Sequence, residues 1–223
     1  LNVSKNLSAG EGGLFVTDDE QACLVARRLS VFGEDLVPLA QRSFRSHGVG
    51  FNYRNQELSC ALARSQLPRL DGYNRVAQRN AMILTDGLAE LPGIVVPRVA
   101  SDRACSYWKY MVHVNPAEMG FDGQPVALRD RVLAALRAQG VEAMVWQPQP
   151  LPAMPAFRRP LRPWQLRYDA EPLQAWDPAE YPVASRLCDT SFALGTERYP
   201  LYVQASELMR HYVAACRLAV TES

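Results

Sequence analysis

Lys5 is the first residue in this chain whose type and setting could do chemistry. It lies in the run Leu1-Asn2-Val3-Ser4-Lys5-Asn6-Leu7-Ser8-Ala9-Gly10-Glu11-Gly12-Gly13, which leads into the apolar Leu14-Phe15-Val16. A primary amine can condense with an aldehyde, and a lysine used in that way needs a rigid frame so that the reacting carbon is aimed. A second set follows at Gly50-Phe51-Asn52-Tyr53-Arg54. The Asn52 amide offers two N–H donors and the Arg54 guanidinium a planar fork, a combination that suits a phosphate. Each has a plainer use as well. Asn52 could cap a helix that starts near Arg54, and Arg54 could pair with Glu57. Glycines 10, 12 and 13 fit a close backbone approach beside the lysine, and any tight turn would use them equally well.

Read in order, Lys5-Asn6-Leu7, Gly10-Glu11-Gly12-Gly13, the apolar run ending Thr17-Asp18-Asp19-Glu20, and then Asn52-Tyr53-Arg54 resemble the signatures of the DegT/StrS-type sugar aminotransferases. Those enzymes are fold-type I and use pyridoxal 5′-phosphate. Glu57-Leu58, Ala61-Leu62-Ala63, Gln66-Leu67-Pro68-Arg69-Leu70-Asp71, Leu91-Pro92-Gly93 and Ser106-Tyr107-Trp108 carry the resemblance onward. So does the helix end Ala134-Ala135-Leu136-Arg137-Ala138-Gln139-Gly140-Val141, and the likeness extends over nearly all of the 223 residues.

The resemblance implies an α/β chain made of the end of a cofactor-binding large domain, residues 1–91, and a small C-terminal α/β domain, residues 92–223. It implies that Lys5 holds the cofactor, that Asn52 reaches across a homodimer interface to the neighbour's cofactor phosphate, and that Arg54 assists in binding it. The reaction implied is transfer of an amino group from glutamate or glutamine to a keto sugar, nucleotide-linked in many relatives, or to a keto cyclitol. Such enzymes serve antibiotic or polysaccharide biosynthesis. Related dehydratases carry a histidine where Lys5 stands, so the lysine favours amino transfer over loss of a hydroxyl. Family members place about half of their length before this lysine, including the acid that faces the pyridine nitrogen. The chain is therefore expected to be a C-terminal half, inactive alone. The alternatives are a non-catalytic remnant that keeps an interaction surface, and a cofactor-dependent dehydratase.

The sequence also departs from the family pattern. Gln147-Pro148-Gln149-Pro150-Leu151-Pro152 stands where many members have a Tyr-x-Pro-Leu-His-like run, and Asn55 stands where a methionine often follows the Asn-Tyr-Arg element. The segment Ala193-Leu194-Gly195-Thr196-Glu197-Arg198-Tyr199-Pro200 lacks the common proline-leucine-histidine. An atypical acceptor is expected.

Composition excludes several other classes. A formal charge of +1 supplies no field for nucleic acid or an anionic membrane. No apolar run approaches the roughly 18 to 20 residues of a membrane span, and a cytoplasmic protein is expected. Cys23, Cys60, Cys105, Cys188 and Cys216 are widely separated, which reads as core packing in a reducing compartment. His47, His113 and His211 lie at no ligand spacing, so no metal site is expected.

The elements that must position these residues follow from the hydrophobic periods. Residues 12–16 read as a strand, and Thr17 with Glu20 reads as a capping box for a helix through about Phe32, with Cys23, Val25, Leu29 and Phe32 apolar. Residues 33–50 read as a loop with at most one helical turn. After Pro68 a long helix carries Leu70, Tyr73, Ala77, Ala81, Leu84, Leu88 and Leu91 on one face. Strands are predicted at 94–96, 107–114 and 141–146, with helices at 126–139, 181–192 and 206–220. Nine of the 16 prolines fall between Pro148 and Pro182, interleaved with Phe157, Trp164, Tyr168, Trp176 and Tyr181, so a loop or lid is expected there. Arg158, Arg159, Arg162 and Arg167 read as a solvated basic loop that could also receive a diphosphate.

Overall fold

A computed structural model of the chain describes residues 1–159 and 173–221. The chain divides into two compact units, Leu1–Asp71 and Gly72–Ser223. The division falls in the first turn of the long helix, most of which packs into the second unit's core. Among the described residues, no helix is long and apolar enough to cross a membrane.

In the second unit, helix α3 (Leu70–Leu88) buries Ala77, Ala81, Leu84 and Leu88 completely, at the three- and four-residue spacing read from the sequence. This face meets a four-stranded sheet in the order β1 (Ile94–Val95), β2 (Tyr110–Val114), β4 (Ser191–Leu194), β3 (Ala143–Met144), antiparallel at every pair. Tyr110, Val112, Phe192 and Leu194 form the centre of the core. Leu128, Val132, Leu133 and Leu136 of α4 (Pro125–Ala138) and Met209, Tyr212, Ala215 and Cys216 of α6 (Ser206–Thr221) close over it. At α4 the predicted glycine stop holds. Gly140 has φ +76°, and Val141 N–H reaches back to Leu136 O at 3.0 Å.

Strand β4 corrects the sequence reading. The helix predicted over 181–192 is α5 (Pro182–Thr190), and from Ser191 the backbone is extended. All four residues of β4 are buried between β2 and β3, with Phe192 opposite Val112 and Leu194 opposite both Tyr110 and Ala143. Ladder bonds on both edges, together with burial of Phe192 and Leu194, outweigh one more helical turn. The strands predicted at 94–96, 107–114 and 141–146 are present in shorter form.

One buried polar residue ties the unit together. Asn80, fully buried on α3, donates from Nδ2 to Leu201 O and Gln204 O, both at 2.8 Å, and accepts from Ser206 Oγ at 3.0 Å. Asn80 therefore fixes the chain that leads into α6. In the proline-rich region, Leu151–Ala153 and Pro178–Glu180 are single 3-10 turns, and Trp176 stacks on Tyr181 at 5.4 Å. Arg158 Nε donates to Gln174 O at 2.8 Å, and Phe157 is exposed. Trp164, Tyr168, Arg162 and Arg167 lie outside the described residues.

The first unit is organised differently. Helices α1 (Glu20–Ser30) and α2 (Glu57–Gln66) bury no residue fully. Asp19, not Thr17, caps α1, accepting from Ala22 N–H at 3.0 Å. Phe32 lies outside that helix at φ +56°. No strand forms over 12–16, where Leu14 and Val16 are 76% and 88% exposed, because a strand needs a ladder partner and the described residues supply none. The 33–50 loop has one short turn, Leu39–Gln41, as expected.

Two measurements follow. Asn80→Ala takes the amide donor from both carbonyls, leaving Leu201 O with only the 3.3 Å bond from Gln204 N–H, and should lower the stability of the 223-residue chain by about 2 kcal/mol in urea unfolding; an unchanged midpoint would show that the linkage is dispensable. Burial holds the half-buried His113 below its usual pKa, and its Nδ1 has no hydrogen-bond partner. The unfolded chain therefore takes up this proton first, so stability holds above about pH 6.5 and falls as the pH drops below it. Thermal melts of His113→Asn should show a smaller loss on the acid side, and identical pH profiles for the two proteins would disprove the assignment.

Candidate active site

Lys5 projects from a rigid turn. Its N–H donates to Asn2 O at 3.0 Å, Ser4 N–H and Oγ both bond Asn2 Oδ1 at 3.0 and 2.9 Å, and Ala9 N–H donates to Leu1 O at 2.8 Å. Ser4, Asn6 and Ala9 are buried around the half-buried Lys5. Asn2 Nδ2 donates to Glu11 Oε1 at 2.7 Å and ties the turn to the glycine run. Gly10 and Gly12 have φ of +87° and +128°, so both are needed for conformation.

The Asn52 loop is held by backbone pairing with the end of α1. Phe51 N–H donates to Leu29 O at 2.7 Å, Tyr53 N–H to Ser30 O at 2.9 Å, and Phe32 N–H to Phe51 O at 2.8 Å. Gly33 and Gly50 cross where any Cβ would overlap the other segment's backbone. The loop is clamped further by Arg42 Nε on Glu34 at 2.8 Å and by Asp35, which takes Arg28 at 2.6 Å and His47 at 3.3 Å. The bond from Arg28 holds the Asp35 carboxyl below its ordinary pKa.

This geometry decides between the readings of Asn52 and Arg54. Helix α2 starts at Glu57 after Gln56, whose N–H is bonded by Asn55 Oδ1 at 2.9 Å, so Asn52 is not its cap. Arg54 Nε donates to Asn52 Oδ1 at 3.0 Å, and its guanidinium lies 5.0 Å over the Phe32 ring, away from any pairing with Glu57. Asn52 and Arg54 are exposed neighbours whose remaining N–H groups can take an anion.

The two motifs meet at Gly12. A Cβ there would be 2.7 Å from Asn55 Nδ2 and 3.5 Å from Leu1 Cδ1. Beside it a groove of about 780 Å³ runs between residues 11–15, the α1 side chains Ala26 and Leu29, and Phe51, Tyr53, Arg54 and Asn55. Phe51 and Tyr53 stack in parallel at 4.9 Å. Arg54 lines this groove, whereas Lys5 and Asn52 do not. Asn55 as the neighbour of Gly12 was missed from sequence, its only signal being its place after Arg54. A primary amine on a fixed turn and a guanidinium–amide pair fit an aldehyde cofactor that carries a phosphate. Glu11, the acid within the glycine run, is engaged by Asn2.

Comparison with known proteins identifies the family. Residues 2–168 match the DegT/DnrJ/EryC1/StrS aminotransferase family. The chain is 32% identical over 194 residues to L-glutamine:scyllo-inosose aminotransferase of Streptomyces griseus, covering 83% of this chain and 44% of that protein. It is 28% identical over 154 residues to dTDP-3-amino-3,4,6-trideoxy-alpha-D-glucose transaminase of Streptomyces venezuelae, covering 69% and 36%. The fold matches the crystal structure of 3-amino-5-hydroxybenzoic acid synthase with TM-score 0.74 at 20% identity, covering 99% of this chain and 53% of that one. The chain spans less than half the length of the curated relatives it matches. With a family match over most of its residues, the chain belongs to the DegT/DnrJ/EryC1/StrS aminotransferase family.

Proposed function

We propose that Lys5, Asn52 and Arg54 serve a pyridoxal phosphate-dependent aminotransferase that moves an amino group from glutamate or glutamine to a keto sugar or keto cyclitol. The observation that carries this reading is the family match over residues 2–168, together with Lys5 on a hydrogen-bonded turn and Arg54 bonded to Asn52 at 3.0 Å. The named activities of the Streptomyces relatives support the acceptor class.

The bound cofactor supplies an electron sink for the substrate's α carbon. Lys5 Nζ would hold the cofactor at its aldehyde carbon, and its amine, when free, would take a proton from the donor's α carbon and return one on the acceptor half of the cycle. Arg54 and Asn52 would hold the phosphate through charge-assisted and amide hydrogen bonds, which would fix the ring.

In this reading two copies of the chain share their sites, each Asn52 serving the partner's cofactor. Support comes from the first unit's surface, where Leu14, Phe15, Val16, Leu58 and Leu62 are exposed together with the stacked Phe51 and Tyr53, a surface that association would cover. The five cysteines are free thiols, in keeping with the cytoplasm.

Lys5 and Lys109 are the two lysines of the chain, so covalent capture gives an unambiguous answer. After incubation with pyridoxal phosphate, borohydride reduction and peptide mapping should place the pyridoxyl group on Lys5 and leave Lys5→Ala unlabelled at that peptide; labelling only at Lys109 would overturn the assignment. The shared-site arrangement has its own test. Asn52→Ala should weaken cofactor retention about tenfold, and mixing it with Lys5→Ala should restore tight binding to a fraction of sites. Retention no better than that of the separate variants would show that Asn52 does not act across the interface.

A further inference from the structure

The second unit holds a small cavity to which no residue of the proposed active site contributes. It has a volume of about 220 Å³ and lies where the turn before β3 meets the chain that leads into α6, with Gly140, Glu142, Tyr199, Gln204, Leu208 and Tyr212 around it. Gln204 and Tyr212 are buried, whereas Tyr199 and Leu208 are exposed, so the cavity opens to solvent on their side.

Hydrogen bonds around this cavity run in one direction. Gln204 Nε2 donates to Tyr199 O at 2.6 Å, Tyr199 N–H to Thr196 Oγ1 at 3.1 Å, and Thr196 Oγ1 to Glu142 Oε2 at 3.3 Å. Gln204 Oε1 is left at the end of that chain, buried and with no hydrogen-bond partner among the described residues. The two ends of the amide cannot be exchanged, because only its N–H groups can bond Tyr199 O. The backbone of Gln204 is pinned as well, its carbonyl accepting from Asn80 Nδ2 at 2.8 Å. A buried acceptor left unpaired costs about 1–3 kcal/mol. Glu142 adds a half-buried carboxylate with no ion-pair partner among the described residues.

We propose that this cavity binds the ammonium group of a small aliphatic amine. An ammonium presents only donors, the complement of an amide oxygen and a carboxylate, and it brings the charge that Glu142 lacks. A water-sized group occupies about 30 Å³, so the cavity leaves space for a short carbon chain, which Leu208 offers an apolar surface. Among the described residues no basic side chain lines the cavity, so an amine that also carries a carboxylate, such as an amino acid, is disfavoured. The site needs neither Lys5 nor a cofactor, and its test is separate from that of the proposed activity.

The experiment is a set of thermal melts of the 223-residue chain in ethylammonium chloride and in tetramethylammonium chloride at the same concentration. The two cations carry equal charge, and only ethylammonium has N–H donors. A saturable rise of the melting midpoint in ethylammonium alone is expected, because a ligand of the folded state stabilises it by mass action. Glu142→Gln keeps the shape and removes the charge, and Gln204→Met removes the oxygen at nearly constant length; each should weaken binding about tenfold. If Gln204→Met does not fold, Glu142→Gln decides the matter. Equal midpoints in the two salts would overturn the proposal and leave Gln204 Oε1 to water, and an ethylammonium response unchanged in Glu142→Gln would overturn it too.

Discussion

The first unit depends on a crossing of two backbone segments that leaves no room for side chains. A methyl group on Gly50 would overlap the main chain of Gly33, and one on Gly33 would overlap that of Gly48. Because of that crossing, Phe51 and Tyr53 can bond the last carbonyls of α1, and Asn52 and Arg54 are delivered beside the glycine run that carries Lys5. A helix pair that buries no residue fully cannot hold a site by hydrophobic packing. Close backbone approach, local hydrogen bonds and the Glu34–Arg42 and Asp35–Arg28 pairs hold it instead.

The second unit is built on the opposite principle. Its sheet and three of its helices enclose Tyr110, Tyr212, Phe192, Leu84 and Leu136, all fully buried, and several polar groups inside have specific partners. Tyr110 shows the consequence. Burial pushes its hydroxyl up to about 12, and a 2.8 Å bond to Thr85 Oγ1 keeps it satisfied in the neutral form. Arg129 is comparable, with its guanidinium buried against Cys188 O at 2.6 Å while Asp130 neutralises it at 2.7 Å. A core of this kind is a rigid scaffold on which Glu142, Gln204 and Tyr212 can be held in place.

Much of this was legible in the sequence. The apolar face of α3 was read correctly at Ala77, Ala81, Leu84 and Leu88, since a period sustained over several turns has no alternative explanation, while Leu70 and Tyr73 are only half-buried and Leu91 lies beyond the helix. The stop at Gly140 was read correctly because only glycine takes that φ easily. The errors have physical causes as well. Ser191-Phe192-Ala193-Leu194 follows a helix without a breaker, and three apolar residues after a serine cannot reveal whether they continue the helix or form a buried strand. Residues 12–16 have strand composition, but composition supplies no partner. Asn80 gave no sign of its importance, because a polar residue on an apolar face shows its value only when distant carbonyls arrive beside it.

At the site, the sequence by itself determined the chemical inventory: an amine at Lys5, an amide and a guanidinium two residues apart, and glycines where the chain must turn left-handed. Those are properties of residue type and local spacing, and they belong to the sequence. Tertiary structure alone decided how the inventory is used. Gly12 lies against Asn55, and Lys109 over the ring of Trp146, because segments far apart in the chain are brought within a few ångströms by backbone pairing and core packing, and Arg54 turns to Asn52 with its guanidinium over Phe32 for the same reason.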